Sequence, residues 1–391
     1  MPSRSHVCKA LAPFGTSIFT EMTSLANAHG AVNLSQGFPD FDGPEKLREL
    51  AARAILRGPN QYAPSSGLPI LREAVAAKMR RFHAVDVDPD REVTITAGAT
   101  EGLAATLLGL LEPGDEVVLF EPFYDLYPAM IARAGARPVV VPLAAPRFEL
   151  DGDALRRALS PRTRAILVNN PQNPCGKVWT AEELSLIAGI CERHELLVLG
   201  DEVYEHILFD GRVHRSLLTV PGLRERALVI SSTAKTFSMT GWKVGMVVAA
   251  PSLTEAVRAA HQFLTFATPG PLQEAMASGI AMDDAYYRDL EGAYARRREC
   301  LCGGLETLGL RPLWPEGAYY VTLPVLEDDF TAARRLATEA GVAVIPFSAF
   351  YEGRRGGRDL LRLCFCKRDE TLDLALERLG DWLRRRGGEP P

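Results

Sequence analysis

Several absences narrow the reading before any motif is considered. No apolar run approaches the roughly 18 residues that a membrane-spanning helix needs, so no membrane role is expected. The N-terminal stretch "MPSRSHVCKALAPFG" lacks the apolar core of a signal peptide, which predicts a cytoplasmic protein. Seven cysteines in 391 residues do not make a disulfide framework. Cys300/Cys302 and Cys364/Cys366 form two Cys-x-Cys pairs, but neither has zinc-site spacing and no histidine pair sits nearby, so no metal is expected. In "LLRLCFC" the cysteines read as small buried hydrophobes on a strand, with a reactive thiol as the minor alternative. The net charge of −5 supplies no basic field for nucleic acid. The basic clusters "ARRREC" and "DWLRRRGG" read as solvated helix faces and a frayed tail. One more absence is local. Between Arg226 and Glu255 there is no Asp or Glu, yet "SSTAKTFSMTGWKVG" (231–245) holds Lys235 and Lys243 among hydroxyls and small residues. Two cations without nearby acid imply that a negative charge comes from outside the protein.

The chain is too long for one simple core, which predicts two domains. From about Glu92 to Ala250, short apolar runs alternate with helical patterns. "EVTITAG" leads into the helix "ATEGLAATLLGLL"; "DEVVLF", "RPVVVPL", "RAILVNN", "LLVLGD" and "ALVISS" are further strands. Thr180 and Glu183 have capping-box spacing ahead of a helix with Leu184, Ile187, Ala188 and Cys191 on one face. The alternation predicts an α/β fold with a mostly parallel, mixed sheet covered by helices. After about residue 280 a long charged helix is followed by sparser strands, "GAYYVTLPV", "GVAVIPFSAF" and "LLRLCFC", which suit a smaller α+β domain. The first forty or so residues are punctuated by Gly, Pro and Ser and read as an arm. The expected division is residues 1–44 for the arm and part of the small domain, 45–280 for the large domain and 281–391 for the small domain.

Ligands of open α/β sheets bind beyond the carboxyl ends of the strands, so the residues just after each strand should carry the chemistry. After the first strand, "AGATEG" offers Gly98, Ala99 and Thr100 at a helix N-terminus, a ready anion site. After the second, "EPFYDLY" offers Phe123 as a flat aromatic. "NNPQNPCGK" offers the amide of Asn173 but lacks the residues of a P-loop. "DEVYEH" places Asp201 at the end of a buried strand, costly unless a cation meets it, and Tyr204 one turn on. The last strand leads into Ser232, Lys235 and Lys243. Taken singly, each has a plain structural explanation as a cap, a core aromatic, a loop or a salt bridge. Together, each at a strand end, they describe a site for one cofactor with a phosphate, a ring bearing a basic nitrogen, a phenolic oxygen and an aldehyde: pyridoxal 5′-phosphate.

At this point the sequence resembles the class I, fold-type-I pyridoxal-phosphate-dependent aminotransferases over nearly its whole length. The likeness runs from "AVNLSQGFPDF" and "NQYAPSSGLPILREA" through "NNPQNPCGKVW", "DEVYEHILFDG" and "SSTAKTFSMTGWKVG" to "LLRLCFCK". Within that family it is most similar to the kynurenine, glutamine–phenylpyruvate and methionine aminotransferase branch, and some succinyl-diaminopimelate aminotransferases look similar. The resemblance implies an aspartate-aminotransferase-like fold and ping-pong transamination between an L-amino acid and a 2-oxo acid. It implies that Lys235 carries the cofactor covalently and shuttles a proton, and that Asp201 pairs with the ring nitrogen. Tyr204 and Asn173 would bond the ring oxygen, Phe123 would stack on the ring, and Gly98, Ala99, Thr100, Ser232 and Lys243 would hold the phosphate. Arg362 matches the arginine that binds the substrate carboxylate. Tyr62 and Phe266 match residues delivered across the interface of a homodimer. The substrate pocket maps to Phe19, Gly37, Thr100, Phe266 and Ala267, with Asn173 also facing the substrate. No Arg or Lys occurs from His261 to Glu274, which disfavours dicarboxylic donors and leaves apolar, aromatic, methionine or glutamine side chains admissible.

Three other readings are distinguishable. A cysteine-S-conjugate β-lyase would use the same Lys235 and Asp201, and only keto-acid dependence separates it. A regulator that binds amino acids without turning them over would carry a DNA-binding domain ahead of the family motifs, which here begin by residue 33. A nucleotide-binding oxidoreductase would need Gly-x-Gly-x-x-Gly after its first strand, and "AGATEG" does not supply it.

Overall fold

A computed structural model describes residues 6–387; the first five residues of the N-terminal stretch and the last four of the chain, including Gly388 at the end of the basic tail read above, lie outside the described residues. Strand β1 is Val32–Asn33, β2 Val93–Thr96, β3 Glu116–Glu121, β4 Arg137–Ala144, β5 Glu149–Leu150, β6 Thr163–Asn169 and β7 Leu197–Asp201. They are followed by β8 Ala227–Ser232, β9 Gly245–Ala249, β10 Tyr320–Pro324, β11 Val342–Ala343, β12 Ile345–Pro346 and β13 Leu360–Cys364. An eight-stranded sheet runs in the order β2-β9-β8-β7-β6-β3-β4-β5. Its centre is parallel and, apart from the exposed Arg164 near the start of β6, buried, as the apolar runs of β6 to β8 require. β9 runs antiparallel to both neighbours, β8 and β2, so the sheet is mixed as expected. The architecture is α/β, as expected.

Helices cover both faces. Ala181–Arg193 starts on the capping box foreseen at Thr180 and Glu183, and Leu184, Ile187, Ala188 and Cys191 are buried under it. Gly98–Leu110 has buried residues on every side because it lies between the sheet and the helix Pro251–Leu264. There Gly109 is obligatory, because a Cβ would meet the backbone of Ala256.

The small sheets are built from both chain ends. β1 pairs in parallel with β11, and β10, β13 and β12 form an antiparallel sheet with β13 in the middle. The first forty residues are more ordered than their composition predicts. Ile18–His29 is a helix, capped by the Ser17 hydroxyl and ended by Gly30 in the left-handed region. Ile18, Met22 and Ala26, each four residues apart, form its buried stripe. Cys364 and Cys366 are fully buried, and all seven thiols are free. Among the described residues no helix is long and apolar enough to cross a membrane.

Candidate active site

β2, β7 and β8 end along one edge of the large sheet, and β9, running the other way, begins there. This direction reversal brings Lys243, just ahead of β9, beside residues that follow β2 and β8. A cavity of about 370 Å³ opens at this edge. Its walls hold Gly98, Ala99, Thr100, Asn173, Asp201, Tyr204, Ser232, Lys235 and Lys243 from the large-sheet side. Phe19, Gly37 and Arg362 close it from the side of the small sheets.

One end of the cavity is a polar cradle. The helix Gly98–Leu110 presents its first-turn amides, which lack intrahelical partners, with the positive end of the helix dipole behind them. Gly98 adopts φ +76°, and a Cβ there would stand 3.2 Å from Lys243 Nζ. Among the described residues, neither the Lys243 ammonium nor the Ser232 hydroxyl has a hydrogen-bonding or ion-pair partner.

The middle of the cavity holds the titratable groups. Asp201 is the only carboxylate in the wall among the described residues. Burial pushes its carboxyl up to about 6, while the hydrogen bond donated by Tyr127 to Oδ2 at 2.7 Å opposes that rise. The Lys235 amine donates to the Gly37 carbonyl at 3.3 Å and makes no salt bridge among the described residues. Burial lowers it to about 8, with Cys366 and Asp201 opposing. The rings of Tyr204 and Tyr319 stand 5.7 and 5.5 Å from its nitrogen. Asn169 ties the loop after β6 to β7: its amide donates to the Asp201 carbonyl at 2.8 Å and its oxygen accepts from Asn173 N–H at 2.7 Å.

Behind Tyr204, a buried charged cluster anchors the end of β8. Glu205 accepts from Lys78 at 2.6 Å, from Ser231 Oγ at 2.7 Å and sits 3.1 Å from His83 Nε2. Burial alone would raise this carboxyl; Lys78 and His83 hold it well below the usual range. Removing one partner from such a pair costs about 3–5 kcal/mol.

At the far end, Arg362 is fully buried and has no carboxylate ion-pair partner among the described residues. Its Nη1 donates to Asn173 Oδ1 at 2.9 Å and its Nη2 to the Ser35 carbonyl at 2.7 Å, and its Nε has no partner. The guanidinium lies 4.2 Å from the ring centroid of Tyr320, 4.9 Å from Phe350 and 5.2 Å from Phe19.

Four expected residues do not line this chain's own cavity, two of which, Tyr62 and Phe266, were expected to reach the cavity of a partner. Phe123, expected flat against a ligand ring, instead packs into the core of the large sheet with Leu119 and Leu167, and its amide bonds the Phe350 carbonyl at 2.9 Å. Its neighbour Tyr124 lines the cavity. Consecutive residues of an extended segment face opposite ways, and "EPFYDLY" presents two adjacent aromatics, so sequence could not choose between them. Tyr62 and Phe266 are outside the cavity, exposed, with ring centroids 5.3 Å apart. Ala267 beside them does not line the cavity either. Sequence reasoning also missed Gln36, Tyr127, Asn169, Thr240 and Tyr320, which all line it. "GAYYV" hid Tyr320 because it reads equally well as a core strand.

The sequence profile of "Aminotransferase class I and II" matches residues 29–379. The chain belongs to this aminotransferase family. It is 46% identical over 383 residues to a probable N-succinyldiaminopimelate aminotransferase of Mycobacterium tuberculosis, covering 94% of this chain and 96% of that one. It is 42% identical over 373 residues to methionine aminotransferase of Escherichia coli, again covering 94% and 96%. Among solved structures, the aminotransferase superposes on N-succinyldiaminopimelate aminotransferase from M. tuberculosis with a TM-score of 0.94 at 45% identity, over 96% of this chain and 100% of that one. It superposes on aspartate aminotransferase from Thermus thermophilus with a TM-score of 0.89 at 33% identity, over 97% and 100%.

The aminotransferase is a pyridoxal 5′-phosphate enzyme that exchanges an amino group between an amino acid and a 2-oxo acid. The cavity fits that group. The unpaired ammonium and hydroxyl beside a bare helix N-terminus suit a phosphate dianion. A single buried carboxylate suits a protonated ring nitrogen, and a half-buried amine with no carboxylate partner among the described residues suits covalent attachment.

Proposed function

We propose that Lys235 holds the cofactor and moves the proton during transamination of an L-amino acid with a long, uncharged side chain, in a homodimer. The observation that carries this reading is the Lys235 amine, half-buried in the cavity wall and bonded only to a backbone carbonyl. When bound, the cofactor supplies the electron sink that stabilises negative charge at the substrate α-carbon. Asp201, fixed by Tyr127, would hold its ring nitrogen. Tyr204 and Asn173 would hold its ring oxygen. Tyr124 would lie against its face, in the role expected of Phe123. Gly98, Ala99, Thr100, Ser232 and Lys243 would hold its phosphate. Arg362 grips the substrate carboxylate, which orients the α-hydrogen, and Lys235, once released, takes that proton as general base and returns it as general acid. Lys235→Ala is expected to lower turnover by about 10⁴-fold or more. Steady-state activity near the parent's in that variant would sink the assignment.

The substrate reading rests on the walls beyond Arg362. Phe19, Leu103, Thr100, Tyr124 and Leu126 offer aromatic, aliphatic and hydroxyl surface, and no second arginine lines the cavity among the described residues. Methionine and glutamine suit such a pocket. The 46% identical relative supports a second reading, an N-succinyl-diaminopimelate donor. Comparing kcat/KM for methionine, glutamine and the succinylated donor with one 2-oxo acid decides between them; loss of turnover without a 2-oxo acid excludes a β-lyase.

The dimer is supported by the exposed apolar surface of Leu56, Tyr62, Phe263 and Phe266, the first three more than four-fifths exposed. Tyr62 and Phe266 would complete the partner's cavity. Sedimentation equilibrium checks this, with one species of twice the 42.7 kDa chain mass expected. Seven free thiols support a reducing compartment such as the cytoplasm.

A further inference from the structure

We propose that Tyr320 is a positioning residue that couples the substrate arginine to the Tyr204 hydroxyl, so that its phenol tunes the proton affinity at Lys235. The proposal rests on the roles given above to Tyr204, Lys235 and Arg362, and extends them to a residue that no motif singled out.

Three contacts meet on this one side chain. Tyr320 opens β10 and pairs with Cys364, while Thr322 pairs with Arg362, so Tyr320 and Arg362 are diagonal neighbours on adjacent strands. The Tyr320 ring takes the guanidinium at 4.2 Å, the shortest of the three aromatic contacts Arg362 makes. At its other end, the Tyr320 hydroxyl lies 3.0 Å from the Tyr204 hydroxyl, and both residues are only 3% exposed. A Cβ on Gly37 would collide with the same Tyr320 hydroxyl, so the loop that also accepts from Lys235 is laid directly over this phenol. Tyr320 therefore touches the arginine, the Tyr204 hydroxyl and the Gly37 backbone together.

The physical consequence follows from donor order. If Tyr320 gives its proton to Tyr204, then Tyr204 keeps its own proton to give into the cavity, and a hydroxyl that accepts one hydrogen bond donates a stronger one. A donor dipole aimed into the cavity opposes the addition of a proton at Lys235. Asp201 with its partner Tyr127, and Lys243, Arg362, Cys366 and Tyr319, also face this pair. Tyr320→Phe leaves all of these in place and deletes one hydroxyl, whereas Tyr320→Leu also deletes the ring under Arg362.

The test is a pH titration of the visible absorbance of the resting, cofactor-loaded enzyme, without substrate. Tyr320→Phe should raise the apparent pKa by about half a unit, with KM for the amino acid unchanged within about twofold. Tyr320→Leu should additionally raise KM about fivefold, the size of a modest cation–π contact of about 1 kcal/mol. The shift caused by Tyr320→Phe should vanish in a Tyr204→Phe background, because the cycle isolates the hydroxyl pair. A merely structural tyrosine would alter the melting temperature and leave the titration in place. Identical titrations of parent and Tyr320→Phe overturn the proposal, as does an equal shift in both backgrounds. A parent band that does not change with pH overturns this proposal alone, and a parent that forms no visible band with added cofactor overturns the assignment of Lys235 and this proposal with it.

Discussion

Two cations face the same cavity without a carboxylate partner, and they are treated in opposite ways. Lys243 stands at the open end, in the left-handed region at φ 54°, exposed and unpaired among the described residues. Arg362 is wholly buried, with two neutral oxygens on its Nη atoms and three rings around its plane. In the roles proposed above, Lys243 would meet a phosphate that stays throughout the catalytic cycle, so its charge could be left for that ligand to satisfy. A substrate carboxylate comes and goes. Arg362, proposed to meet it, would have to survive alone in a desolvated site, and neutral acceptors and π-faces make that tolerable without neutralising the charge. Carbonyl and amide oxygens also compete weakly with an incoming carboxylate, whereas a resident Asp or Glu would compete strongly.

The largest effect expected from breaking this contrast is on the substrate side. Arg362→Ala should raise KM for amino acids by roughly 10- to 100-fold, consistent with losing a charge-assisted pair of about 1.5–3 kcal/mol, while cofactor affinity stays near the parent's. Steady-state kinetics measures it, and an unchanged KM would place the carboxylate elsewhere. Lys243→Ala should do the reverse: weaker cofactor binding by about tenfold, with KM for the amino acid little changed once the cofactor saturates. Fluorescence titration of the apo-protein reads this directly, and a change in KM alone would collapse the distinction between the two cations.

The smallest expected effect sharpens the view of what lies between them. A neutral amine is needed to attack an aldehyde, and burial sets the Lys235 amine at about 8. Its folded pKa is depressed, so the reactive form grows as pH rises. Cofactor uptake by the apo-protein should accelerate by about tenfold from pH 7 to pH 9 and level off above that. Below about pH 6 uptake should slow further as Asp201 takes up its proton. Stopped-flow absorbance across that range checks both limbs. A flat profile from pH 7 to 9 would mean that Lys235 is already neutral in the free protein.

The strand ends were legible because each buried parallel strand is an unbroken apolar run that stops where polar residues begin. Asp201, Ser232 and Lys235 therefore declared themselves by position. Lys243 was legible by composition, through the lack of acid around it. What stayed hidden has one common physical cause. Tyr124, Tyr127 and Tyr320 act through which way a ring points, and an aromatic beside an aromatic gives no periodic signal about which faces the cavity. Likewise the helix Ile18–His29 was missed because its buried stripe is narrow: Ile18, Met22 and Ala26.

The pairing of β1 with β11 carries a consequence for how the protein is made. Arg362 is held by the Ser35 carbonyl, 327 positions earlier in the chain. Every strand of the large sheet lies between Val93 and Ala249, so a ribosome will have released all of them well before Arg362 is translated. The segment that will grip the arginine emerges early and must then wait, unpaired, for its partner strand. Contacts this distant in sequence form late, because the intervening chain must be ordered first. A nascent chain stalled before β13 would hold every proposed phosphate-cradle residue from Gly98 to Lys243 and lack Arg362, the residue proposed above to bind the substrate carboxylate.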